Sequence, residues 1–159
     1  MAVEYSGSLD GVGLRIAVVV ARFNGFITER LLTGARRAFR ACRVAEADIA
    51  VVWAPGAFEL PLLAQRLARS RQFDAVVCLG CVIRGETAHF EHVATASARG
   101  ILDAGLVSGI PVVFGVLTTD TVEQARARSG TETNNKGEEA VRTAVEMANL
   151  MRQLPLEPA

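Results

Sequence analysis

The chain has 159 residues, 17 Lys and Arg against 17 Asp and Glu, and half of its residues are hydrophobic. That length suits one domain with a substantial core, and the composition is too apolar and too weakly charged for a disordered chain. A formal net charge of zero supplies no global attraction to nucleic acid or to an anionic membrane surface, so neither is expected as a partner.

In chain order, residues 1–13 contain three glycines and no apolar periodicity, and are expected to form an arm. The opening Met-Ala-Val-Glu-Tyr-Ser has neither a basic nor an apolar region, so no signal peptide is expected. Arg15–Ala21 reads as the first strand, and Ile27, Leu31, Leu32, Ala35, Ala38 and Phe39 then recur at helical spacing. A second strand is expected over Ile49–Trp53, a helix over Leu60–Ala68, a third strand over Ala75–Leu79 and a helix over Val93–Leu106. Pro111–Leu117 reads as the fourth strand, a charged amphipathic stretch holds Arg128, and a last helix runs from about Glu138 to Arg152. Leu154–Ala159, with two prolines, reads as a frayed tail.

Each strand is a near-continuous apolar run, the pattern of a strand buried on both faces. Strand–helix alternation predicts an α/β fold, a parallel sheet with right-handed crossovers and helices on both faces. The longest apolar runs, Ile16–Ala21 and Ile110–Leu117, fall far short of the ~20 residues that span a bilayer. Three cysteines cannot all pair within one chain, and a domain of this size needs no staples. The expectation is a soluble, cytoplasmic single domain over 1–159.

In open parallel sheets, ligands bind beyond the carboxyl ends of the strands. The residues hardest to explain by packing lie there: Arg22–Gly25 after the first strand, Pro55–Glu59 after the second, Cys81–His92 after the third and Thr118–Asp120 after the fourth. Alone, each has an ordinary reading. Phe23 alone reads as a core or rim aromatic, though a polar, glycine-containing turn is an unusual place for a core residue. Glu59 opens a helix and compensates its dipole. Of the two histidines, His89 adjoins the Gly85–Thr87 loop and is the better candidate for proton transfer. Arg128 reads as part of a solvated face.

Sharper motifs fail on spacing. Cys78 and Cys81 lie three apart on a strand and point to opposite faces, so they cannot share a metal. His89-x-Glu91 lacks the downstream cysteines of a zinc deaminase, Ser97 lacks a nucleophile elbow, and no phosphate-binding glycine loop is present.

Five blocks in order carry a resemblance: Ala21–Asn24, Pro55–Pro61, Gly80–Glu91, Gly115–Thr118 and Asn135–Gly137. With them the chain resembles the lumazine synthase family over nearly its whole length. The resemblance implies a flavodoxin-like α/β/α sandwich with strand order 2-1-3-4. The activity it implies is that of a transferase in the penultimate step of riboflavin biosynthesis. It joins 5-amino-6-(D-ribitylamino)uracil to 3,4-dihydroxy-2-butanone 4-phosphate, gives 6,7-dimethyl-8-ribityllumazine, phosphate and water, and uses no metal or organic cofactor.

By the same resemblance, Phe23 would stack on the pyrimidine, Ala57, Phe58 and Glu59 would hold the ribityl chain, and Cys81, Val82 and Ile83 would bind the heterocycle through the main chain. Glu86, Thr87 and Arg128 would bind phosphate, and His89 would donate the proton. Phe114 and Arg128 would come from a neighbouring subunit in a pentamer, with the N-terminal arm adding a strand to the adjacent sheet. The short segment Gly130–Gly137 resembles that of members that assemble sixty subunits into an icosahedral capsid. Asn134 departs from the Gly that many relatives carry. Three rival readings share the fold or the pocket: a riboflavin synthase of archaeal type, which a product assay separates; a non-catalytic shell or flavin-binding protein, against which the presence of both Arg128 and His89 argues; and a flavodoxin-type electron carrier. The last expects a Ser/Thr/Gly-rich loop where this chain has Arg22-Phe23-Asn24-Gly25.

Overall fold

The computed structural model describes residues 1–156. Four parallel strands, β1 (Ile16–Ala21), β2 (Ile49–Ala54), β3 (Ala75–Ile83) and β4 (Val112–Thr119), form one sheet in the order β2-β1-β3-β4. The helices are α1 (Gly25–Ala41), α2 (Leu60–Arg69), α3 (His89–Ser108), α4 (Val122–Arg128) and α5 (Lys136–Gln153). The α/β/α layering and strand order match the expectation.

Alternation along β1 builds two cores. Ile16, Val18 and Val20 face α1 and α5, whereas Ala17, Val19 and Ala21 face the layer of α2 and α3. Cys78 and Cys81 fall on opposite sides in the same way, as their spacing predicts. The first core is the larger and carries Phe39, Leu31 and Val141, all essentially without solvent exposure.

Two strand expectations need correction. β3 does not stop at Leu79 but runs to Ile83, so Cys81–Ile83 belong to the strand and not to the loop after it. Pairing with β4 continues to Ile83 opposite Thr119, after pairing with β1 has ended at Leu79. Gly80 lies inside the strand, where a Cβ would come within 3.1 Å of Leu60 and 3.4 Å of Val116, so the position has little room for a side chain. Nor are all four strands buried on both faces. Only β1 and β3 have neighbours on both sides, and the outer strands expose Trp53 on β2 and Phe114 on β4.

Helix α3 begins at His89, earlier than Val93, and ends at Gly109, whose φ of 75° suits a residue without a side chain. Helices α1 and α5 approach so closely that a methyl group on Gly137 would run into the carbonyl of Leu31. Asn134 has φ 50°, a left-handed conformation that Asn tolerates better than most residues. Its amide donates to Ala127 O at 2.6 Å. The departure from Gly therefore keeps the backbone conformation that Gly would supply.

Much of the expected arm rests on its own chain. Gln153 donates to Ser6 O (2.8 Å), Asn149 to Ser8 O (2.9 Å) and Asp10 O (2.8 Å), and Gly11 N to Cys42 O. Residues 1–5 are exposed. Of the expected tail, 157–159 lie outside the described residues, and Leu154–Leu156 follow α5 without helical structure.

Candidate active site

The chain turns sharply after β1. Asn24 is left-handed (φ 58°), stands at the N-cap position of α1 without a side-chain cap bond, and donates its amide to Cys81 O at 2.8 Å, which ties this turn to β3. Arg22 N and Phe23 N donate to Ala54 O (2.8 Å) and Pro55 O (3.1 Å), which extends the β1–β2 contact into the two turns. Phe23 is left 71% exposed, held by its backbone and not by burial.

After β2, extended Gly56 leads into a single 3-10 turn, Ala57–Glu59, and then α2. Ala57 is buried and Phe58 is 60% exposed, and Phe58 lines the same cavity as Phe23. Glu59 stands at the N-cap of α2, yet among the described residues no side-chain hydrogen bond caps that helix. Its carboxylate stands where it compensates the helix dipole, as its ordinary reading expects, and it also lines the cavity.

These turns, the end of β3 and the start of α3 enclose a cavity of about 710 Å³. It lies between β1 and β3, where the order of connections reverses, the position at which doubly wound sheets bind ligands. Its walls are apolar through Phe23, Ala57, Phe58, Val82, Ile83, Phe90 and Val93, with Asn24, Glu59, Thr87, His89 and His92 as isolated polar groups. A mostly apolar hollow with few convergent polar groups is what a small-molecule site requires.

Of the expected residues, Phe23, Ala57, Phe58, Glu59, Cys81, Val82, Ile83, Thr87 and His89 line this cavity. Glu86 is exposed in the same loop but is not part of the lining. Phe114 and Arg128 are not brought there within one chain. They line a second groove of about 580 Å³ over β4 and the start of α5, with Thr118, Lys136 and Glu139. Arg128 donates to Gln124 O at 3.1 Å, and Lys136 pairs with Glu139 at 2.9 Å.

Several lining residues carry no role from the sequence. Asn24, Phe90 and His92 join the cavity because three strand ends and one helix face meet there. Lys136 had one signal: a cation in the first turn of a helix opposes the dipole and is an unusual placement.

Cys81 has a buried thiol that is not activated as a nucleophile. Burial pushes its thiol up to about 12, as it does for Cys78, and the thiolate is the nucleophilic form. Its carbonyl already accepts from Asn24, but a carbonyl oxygen has a second lone pair. Among the described residues no three His, Cys, Asp or Glu side chains gather to hold a metal ion, and no helix is long and apolar enough to cross a membrane.

A protein-family model described as 6,7-dimethyl-8-ribityllumazine synthase matches residues 13–152. That span contains every residue of the cavity and of the second groove. The chain belongs to this family.

Proposed function

We propose, from that membership as premise, that the protein condenses 5-amino-6-(D-ribitylamino)uracil with 3,4-dihydroxy-2-butanone 4-phosphate to 6,7-dimethyl-8-ribityllumazine in riboflavin biosynthesis. The observation that carries the reading is the division of the candidate residues. The hollow with Phe23, Glu59 and His89 lies at the β1/β3 edge, and the groove with Phe114, Arg128 and Lys136 lies over β4. Two grooves, one mostly apolar and one with two cations, fit two substrates when neighbouring copies juxtapose them.

In this reading Phe23 stacks on the pyrimidine, the 57–59 turn receives the ribityl chain, and the main chain of Cys81–Ile83 reads the heterocycle along the edge that β1 no longer covers. Thr87 and the first N–H groups of α3 receive the phosphate, with Arg128 of a neighbouring copy as the counter-charge. Glu86 has the same sign as phosphate, so only its main-chain N–H can serve there. The arylamine attacks the ketone, loss of water gives an imine, phosphate leaves to form an enol, and the second amine closes the ring with loss of another water. Each step is a proton transfer or the departure of a good leaving group. The protein therefore acts mainly through proximity, with His89 moving protons. No metal or organic cofactor enters this scheme.

The assembly follows as a proposal too. A site completed by a neighbour's Phe114 and Arg128 makes a ring the minimum active unit, a pentamer, and the short 130–137 turn favours an icosahedral sixty-subunit shell. Residues 1–5 are the part of the arm free to join an adjacent sheet. The three cysteines are unpaired, which suits a reducing cytoplasm.

Mixing the two purified substrates with the protein and following the absorbance of the lumazine tests the reaction. Lumazine formed from the two substrates faster than in a protein-free control, with no riboflavin formed from lumazine, supports the reading; a rate equal to that control, or dismutation of lumazine to riboflavin, overturns it. Arg128→Ala should raise KM for the phosphorylated substrate far more than for the pyrimidine, and equal losses would reject the phosphate role. In sedimentation at neutral pH, a pentamer mass rejects the shell, and a monomer rejects the shared site.

A further inference from the structure

The loop from Arg84 to Ala88 joins β3 to α3 and carries Gly85 and Thr87 into the cavity, yet all five of its residues are exposed. Neither core holds it. What holds it is Arg84. Its backbone N–H donates to Thr119 O (2.8 Å), its Nε donates to Asp120 (2.8 Å) at the end of β4, and an Nη contacts Glu91 in the first turn of α3. The guanidinium carbon also lies over the Phe90 ring, 4.4 Å from its centroid, and Phe90 lines the cavity.

Asp120 is itself anchored, since its N–H donates to Gln124 Oε1 at 2.8 Å. One side chain thus bridges the end of β4 to the start of α3 across the loop between them. The Arg84 guanidinium is kept charged beyond its ordinary range by the two carboxylates, and it holds the Glu91 carboxyl below its own. A group that meets two carboxylates through two different nitrogens while centred over an aromatic ring calls for arginine, because lysine offers a single point charge.

We propose that Arg84 is a positioning residue. It sets the Gly85–Thr87 loop and the His89–Phe90 start of α3 in one fixed relation for the phosphorylated substrate, without itself lining the cavity. This deepens the reading of the site given above and rests on it. Exposed ion pairs add little to stability, so the effect of Arg84 falls on the geometry of the loop and not on the fold.

The test uses the full-length assembled protein with Arg84→Met, Arg84→Lys, Asp120→Asn and the double variant Arg84→Met/Asp120→Asn. Arg84→Met should raise KM for 3,4-dihydroxy-2-butanone 4-phosphate about tenfold, equivalent to ~1.4 kcal/mol. The KM for the pyrimidine and the thermal midpoint should stay near those of the parent. Arg84→Lys should recover only part of the loss. The double variant should be no worse than Arg84→Met, because the two residues act as one unit. Parental KM values in Arg84→Met, equal losses for both substrates, full rescue by Lys, or additive losses would each overturn the proposal. An inactive parent would instead reject the functional reading itself, so the two failures are distinguishable.

Discussion

Asn135 joins three elements from a position only 3% exposed. Its Oδ1 accepts from Gly137 N (2.9 Å) and Glu138 N (3.1 Å), which caps α5, and its Nδ2 donates to Arg30 O on α1 (3.0 Å) and Gly130 O (2.9 Å). Asn135→Ala removes all four bonds. The cap contributes about 1 kcal/mol. Gly130 O loses a partner at a half-buried corner, at a cost of about 1–3 kcal/mol, whereas Arg30 O keeps its helical N–H and loses less. The sum is a loss of about 2–4 kcal/mol. Urea unfolding at one fixed protein concentration should show it as a midpoint lowered by about 1–2 M with unchanged slope. Asn135→Ser retains a capping oxygen and lacks both donors, so it should recover about 1 kcal/mol of that loss. A loss below about 1 kcal/mol for Ala, or a Ser variant as unstable as Ala, would refute the assignment of the bonds. Because Asn135 lies between Arg128 and Lys136, both variants should also weaken phosphate-dependent steps.

His89→Ala should keep measurable turnover, with a loss near the low end of ~10²–10⁴, because the substrates condense intrinsically; complete inactivity in a folded assembly would reject proton transfer as its main role. Gly137→Ala should lower the thermal midpoint although Ala is the better helix former, since overpacking against Leu31 costs about 1–3 kcal/mol and the propensity gain is about 1 kcal/mol. Cys78 and Cys81 should resist alkylation at pH 8 until the protein unfolds. Burial raises both thiols to about 12 in the folded state, against 9.0 for an ordinary cysteine, so above pH 9 the unfolded state binds fewer protons and stability falls as pH rises. Each thiol contributes at most about 1.4 kcal/mol per pH unit; Cys78→Ala should flatten the alkaline limb of stability against pH, and an unchanged limb would reject the argument.

Periodicity alone determined the α/β alternation, because a parallel sheet covered on both faces needs uninterrupted apolar strands and helices with one apolar stripe. The strand-end clusters were also legible: residues that packing does not explain, such as Phe23, Glu59 and His89, collect where a parallel sheet binds ligands. The extent of β3 was not legible, because Gly80 reads as a break until β4 is known to pair beyond it. Burial of β2 and β4 was misread for a similar reason, since an outer and an inner strand share one apolar pattern and differ only in their neighbours. Arg128 and Lys136 lie eight residues apart in sequence, and their common groove exists because α5 packs across α1 and against β4. The Arg84 bridge depends on the sheet in the same way, since Asp120 is 36 residues away. It reaches Arg84 because β3 and β4 end side by side, and strand pairing of that kind is a property of the folded sheet, absent from any local run of residues.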